Sequence, residues 1–141
     1  MRFFRNVVVV VLAVIMAVMF AACRNNNPTG GVTGNDDKVV ITINVEYMEI
    51  TEDTTLLDYM NKLEENGEIS FIISDGMITE INGVKNGSST YWMLYTDDSE
   101  NSNTAWGQIE YDGKIYGIAA LGAGELVIKD GLTYIWYYQA L

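Results

Sequence analysis

From Val39 the chain alternates. Val39, Ile41, Ile43 and Val45 fall on one side of an extended backbone, and Thr42, Asn44 and Glu46 on the other, which predicts a half-buried strand over 39–45. Further on, Leu56, Leu57, Met60 and Leu63 recur at helical spacing. Thr55 stands just ahead of them with Asp58 three residues later, and Asn66-Gly67 follows as a stop, so the pattern predicts one amphipathic helix of about three turns. Its Leu/Met stripe is expected to be core. Beyond the helix the apolar runs are short and strand-like: 69–73, 77–81, 91–95, 108–111, 114–119, 125–128 and 133–138. Asp75-Gly76, Asn82-Gly83, Asn86-Gly87, Asp112-Gly113 and Asp130-Gly131 punctuate this stretch; such pairs tolerate the positive φ of tight hairpins, and Asp112-Gly113 and Asp130-Gly131, directly between predicted strands, are expected to form them. One helix with six to eight strands gives an α+β class, a mostly antiparallel sheet packed on the helix.

The amino terminus has a different pattern. Arg2 and Arg5 precede 16 residues, Val7 to Ala22, without a charged or strongly polar side chain. That is the layout of a secretory signal peptide, and it is shorter than the roughly 20 apolar residues of a spanning helix. Phe20-Ala21-Ala22-Cys23 resembles the lipobox of bacterial lipoproteins, with Phe20 where Leu or Val is commoner. The resemblance implies that residues 1–22 are removed and that Cys23 carries lipid, which holds the body on the extracytoplasmic face of the cell membrane. Residues 23–37 are rich in Asn, Gly, Thr and Asp. Too little apolar surface is available there to offset ordering, so a flexible linker is expected, with a reach of roughly 20 Å. Residues 38–141 suffice for one core and one domain.

Charge and composition narrow the chemistry. Cys23 is the only cysteine and histidine is absent, so the body has neither a free thiol nor an imidazole to titrate near neutrality. The reading is a non-catalytic protein without zinc. Asp97 to Asn103 offers oxygen ligands at alternate positions but lacks the glycine and the closing glutamate of a calcium loop. It reads as a solvated hairpin loop, and no metal is expected. Loss of the leader leaves six of the eight Lys/Arg against 19 Asp/Glu, a formal charge of −13. Such a surface repels nucleic acid and anionic headgroups, so membrane attachment rests on the acyl chains.

The aromatic residues gather in the second half. Along a strand, Tyr91, Met93 and Tyr95 share one face and Trp92 and Leu94 the other, while Trp136 and Tyr138 lie opposite Tyr137. Most such residues form sheets and fill cores. Tyr91, Trp92, Tyr95, Trp106 and Trp136 are the candidates for ligand contact, because a face left open would offer a platform for a planar, sugar-like or peptide ligand.

Ile81-Asn82-Gly83-Val84, Tyr91-Trp92-Met93, Gly117-Ile118-Ala119 and Lys129-Asp130-Gly131 before an aromatic strand together resemble the transcobalamin-like C-terminal domain family. The strand and helix ahead of them fit as well. The resemblance implies a small β-grasp-like α+β domain of the kind found in many bacterial surface proteins. It also implies that cobalamin, or another flat ligand, is a candidate, since in the animal carriers this domain closes over a corrinoid held mainly by a helical barrel. No such barrel accompanies it in these 141 residues, and 108–126 is richer in glycine than the carrier segment. The function expected is a lipid-anchored surface binding module with no cofactor of its own. The alternative is an interaction or adhesion module that docks on another envelope protein.

Overall fold

A computed structural model describes residues 28–141; the expected leader, 1–22, and Cys23 lie outside the described residues. The helix, α1 (Leu56–Glu65), begins where the sequence placed its cap. The Asp58 amide donates to the Thr55 hydroxyl over 3.2 Å, and the Thr55 amide donates to the Asp58 carboxylate over 2.9 Å, a reciprocal box that satisfies two otherwise orphaned donors. At the other end Gly67 takes φ 73°. The Gly67 amide bonds to the Glu64 carbonyl and the Glu68 amide to the Leu63 carbonyl, closing the helix in a Schellman turn. The buried stripe is Leu56, Tyr59, Met60 and Leu63. Tyr59 takes the place that the sequence reading gave to Leu57, which is half-buried at the helix margin.

The strands are β1 (Val32–Asn35), β2 (Lys38–Thr42), β3 (Phe71–Ser74), β4 (Met77–Ile81), β5 (Val84–Lys85), β6 (Thr90–Thr96), β7 (Ser102–Tyr111), β8 (Lys114–Ala119) and β9 (Thr133–Ala140). Six form an antiparallel sheet in the order β1-β2-β9-β6-β8-β7, and β3, β4 and β5 form a second, small sheet. Asp75-Gly76, Asn82-Gly83 and Asp112-Gly113 all have positive φ at both residues, as type I′ hairpin turns require.

Two cores result. Val39, Ile41, Leu56, Tyr59, Met60, Leu63, Trp92, Leu94, Tyr134 and Trp136 belong to the larger one, between helix and sheet. The smaller one holds Val40, Tyr95, Tyr116 and Ile135 on the opposite face. It exists because β8 pairs with β6 only at Tyr95 and Thr96, so the β7–β8 hairpin swings away and covers that face. At its far end Lys38 Nζ sits 4.9 Å from the ring centroid of Tyr137 and 5.8 Å from that of Tyr111.

Four sequence expectations are corrected. Part of the linker expected over 23–37 is ordered chain: Val32–Asn35 pairs with β2, and the Gly30 amide donates to the Glu68 carboxylate at 3.1 Å. Backbone pairing holds this segment, so apolar content gave no sign of it. The strand expected over 39–45 stops at Thr42, because the Asn44 side chain accepts from the Glu46 amide and starts a turn. No strand forms over 125–128 beyond a single bridge from Val127 to Thr55. Leu126 and Ile128 are buried, and their backbones bond to Leu56 and Thr54 at the helix entry; this edge of the core imitates strand alternation. The Asp130-Gly131 pair is therefore a loop turn rather than a hairpin.

Gly31 has φ 67°, and a Cβ there would stand 2.4 Å from the Thr42 carbonyl oxygen. Gly31→Ala is expected to cost roughly 1–3 kcal/mol and to detach β1. Hydrogen exchange would show it: the Thr42 amide, bonded to the Gly31 carbonyl, loses protection while amides of β9 keep theirs.

Candidate functional site

Side-chain alternation along β6 and β9 sets the site. Trp92 and Leu94 point into the larger core with Trp136 and Tyr138, while Tyr95, Met93 and Tyr137 face the smaller one, as the alternation predicts. The backbone amide of Trp92 donates to the Asn86 side chain at 2.9 Å, and its Nε1 donates to the Val84 carbonyl at 2.8 Å. The Tyr138 ring packs 5.3 Å from Trp92, and its hydroxyl donates to the Lys85 carbonyl at 2.8 Å. Trp92 and Tyr138 thus bolt β5, the end of the small sheet, onto the large one.

Where β8 parts from β6, a cleft of about 360 Å³ opens. Trp92, Met93 and Leu94 of β6 form one side, and Trp136 lies beside them. Met77 and Ile78, after the Asp75-Gly76 turn, form a second side, and the Ala119–Ala123 segment after β8 forms the third. Three consecutive β6 residues line it although their side chains alternate, so the strand's edge faces the opening. No charged side chain lines it. The rim is apolar and open to solvent, with Met77 64% and Leu121 40% exposed. Small residues make the third wall thin, and Gly122 passes close to the Gly76 carbonyl, 3.8 Å from where a Cβ would sit.

The structure divides the five aromatic candidates. Trp92 and Trp136 come together at the cleft. Tyr95 is buried in the smaller core and accepts a hydrogen bond from Gln139. Tyr91 donates its hydroxyl proton to the Ser88 carbonyl. Trp106 is 68% exposed and stands in the irregular stretch of β7 between Asn103 and Gln108, away from the cleft lining. Gly117 lies opposite that irregularity, where a Cβ would meet the Thr104 amide nitrogen at 3.1 Å; the close backbone approach expected of this glycine is present. Met77, Leu94, Ile118 and the Ala119–Ala123 wall were not singled out by sequence reasoning. The run of small residues from Gly117 to Gly124 was the one available signal.

The acidic loop is also corrected, because two of its carboxylates are buried rather than solvated. Asp98 is 3% exposed and accepts from the Glu100 amide at 3.1 Å and the Asn101 side chain at 2.8 Å. Asp97 accepts from the Thr133 amide at 2.8 Å and from Lys114 at 2.6 Å. The Asp97 carboxylate ties the loop to β9, and the Asp98 carboxylate holds the loop's own turn. Among the described residues no group of three or more His, Cys, Asp or Glu is placed to hold a metal ion.

Two buried polar atoms, the Tyr134 hydroxyl and the Trp136 Nε1, have no hydrogen-bond partner among the described residues. Burial, with the negative charges of Asp98 and Asp97 adding to it, pushes the Tyr134 phenol well above its ordinary value of 10.0.

Compared with known proteins, residues 53–110 match a domain of unknown function, DUF4430. The match runs from the helix entry into β7 and leaves out β8, the Ala119–Ala123 wall and β9. No curated protein and no solved structure matches the chain.

The neutral phenol is the form that the fold favours at Tyr134, so its contribution is whole below the unfolded phenol pKa, about 10, and declines as pH rises above it. Tyr134→Phe is expected to leave stability at neutral pH unchanged or slightly raised, since it removes an unpartnered hydroxyl. It should also flatten the alkaline decline. Urea titrations at neutral pH and above pH ~10, followed by tryptophan fluorescence, check both effects. Trp92→Phe, which removes the bond to Val84, is expected to cost about 1 kcal/mol in the same assay.

Proposed function

We propose that this chain is a non-catalytic binding module displayed outside the cytoplasmic membrane on lipid at Cys23, and that the cleft between β6 and the Ala119–Ala123 wall is its ligand site. The observation that carries this reading is the cleft itself: about 360 Å³, lined by two tryptophans and small apolar residues, without a charged group. Its volume lies at the lower end of small-molecule sites, which run from about 300 to 1,000 Å³. An uncharged lining binds by excluding water from apolar surface and supplies no acid or base to the bound molecule.

The β-grasp-like likeness belongs to this proposal, supported by one helix across an antiparallel sheet. A corrinoid remains the ligand suggested by the transcobalamin-like resemblance. Such a ring system is broader than this cleft, so it would engage by an edge, against Trp92 and the exposed rim at Met77 and Leu121. The docking alternative, an interaction with another envelope protein, is favoured by the exposure of Met77 and Trp106 on separate parts of the surface.

Cyanocobalamin titrated into the whole chain is expected to quench tryptophan fluorescence more than inner-filter absorption accounts for. Ala119→Phe, which fills the cleft from a half-buried position, is expected to abolish that excess. Equal excess quenching in the two proteins would remove the corrinoid from this site. Recovery of the protein from the cytosol without radiolabel after growth on palmitate would overturn the lipid anchor.

A further inference from the structure

Trp136 occupies the middle of the large sheet, in register with Val39 on one side and Leu94 on the other. It is 5% exposed and lines the cleft. The other two indoles provide a contrast, since Trp92 Nε1 is satisfied by the Val84 carbonyl and Trp106 faces solvent. Trp136 Nε1 alone among the three is buried without an acceptor among the described residues. A buried N–H left unpaired costs about 1–3 kcal/mol, so native structures keep such a group where something can satisfy it.

Resting on the cleft as the binding site, and in place of the corrinoid that the resemblance suggests, we propose that its ligand is an uncharged small molecule with an apolar ring body and one carbonyl or ether oxygen, which accepts a hydrogen bond from Trp136 Nε1. The lining dictates each part of this description. Two indole rings and the Met77, Leu94 and Ile118 side chains surround an apolar body. A carboxylate would meet no cation in the lining and would approach a strongly acidic protein, and a buried ammonium would meet no carboxylate there. The indole offers one donor and no acceptor, so the complement is a lone oxygen acceptor.

Nε1 is covered in the described arrangement, so the oxygen reaches it only when the lining beside Trp136 shifts. Ala120, Leu121 and Gly122 are the exposed part of the Ala119–Ala123 wall. Its fixed points are the Ala120 amide on the Asn101 carbonyl, the Gly122 carbonyl under the Glu125 and Leu126 amides, and the Ala123 carbonyl under the Leu57 amide. Leu121 lies between these points, and moving its side chain leaves them in place.

The three indole N–H groups make the test direct. In the whole chain, ¹⁵N-labelled and held in lipid nanodiscs, each gives one indole resonance, assigned by its loss in Trp92→Phe, Trp106→Phe and Trp136→Phe. Cyclohexanone and cyclohexane share a ring body and differ in the acceptor; cyclohexanecarboxylate adds charge. Cyclohexanone is expected to move the Trp136 indole proton downfield and leave those of Trp92 and Trp106 in place. Cyclohexane is expected to perturb the Leu94 and Ile118 methyl groups without that downfield shift, and cyclohexanecarboxylate to perturb neither. Trp136→Phe, which keeps an aromatic ring, is expected to weaken cyclohexanone about fivefold and to leave cyclohexane unchanged. If both neutral probes perturb the cleft methyls alike with the Trp136 proton unmoved, the acceptor inference is overturned while the cleft remains a binding site. If the carboxylate binds as well as cyclohexanone, the restriction to uncharged ligands fails. If no probe perturbs any cleft resonance, the binding site itself is refuted.

Discussion

The structure depends on one strand being buried from both sides. In β9, Thr133, Tyr134, Ile135 and Trp136 are buried in succession, which a strand tolerates only when each face has a cover. Helix α1 supplies one cover and the swung-out β7–β8 hairpin the other. Tyr134 and Trp136 thereby enter the larger core and Ile135 the smaller. Pairing with β2 on one edge and along all seven residues of β6 on the other satisfies the β9 backbone that this burial removes from water. The last strand in the sequence is the centre of the fold, so the body closes only when its carboxyl-terminal segment is in place.

Covering both faces of β9 has a geometric consequence that creates the cleft. To lie over the second face, the β7–β8 hairpin leaves β6 after only two paired residues. The edge of β6 from Trp92 to Leu94 then faces an opening instead of a neighbouring strand, and the chain leaving β8 runs past it as a thin wall of Ala and Gly. The small sheet closes the remaining side and is held in place by Trp92 and Tyr138 through the carbonyls of Val84 and Lys85. Of these two, Trp92 serves stability and also borders the site. This is the ordinary economy of a small domain, whose core and surface are a few ångströms apart.

Several features were legible in the chain because they rest on local physics. Thr55 and Asp58 had to cap a helix, since the box needs only those two side chains and the intervening turn. Asp112-Gly113 had to be a hairpin turn, since both of its residues accept positive φ. The alternation of Tyr91 to Tyr95 sorted those side chains onto the correct faces before any partner strand was known. The errors share a different cause. Val32–Asn35 joined the sheet through backbone bonds that side-chain pattern does not report. Leu126 and Ile128 alternate like a strand but plug the end of the core beside the helix. Asp97 read as solvated because charge alone does not reveal that the Thr133 amide and Lys114 wait for it from distant parts of the chain, and Asp98 because its bonds to Glu100 and Asn101 form only once the loop has closed on itself.

The sequence by itself therefore determined the α+β class, the limits of the helix, the hairpin turns at Asp75-Gly76, Asn82-Gly83 and Asp112-Gly113, and the sidedness of each aromatic strand, because period and turn chemistry act within a few residues. It also supplied the absence of histidine and the surplus of acid. Only the tertiary structure decided that Trp92 and Trp136 meet while Tyr95, Tyr91 and Trp106 go elsewhere. That outcome turns on which strands become neighbours and where two of them separate, and those are settled by long-range burial of β9 rather than by the residues that line the opening.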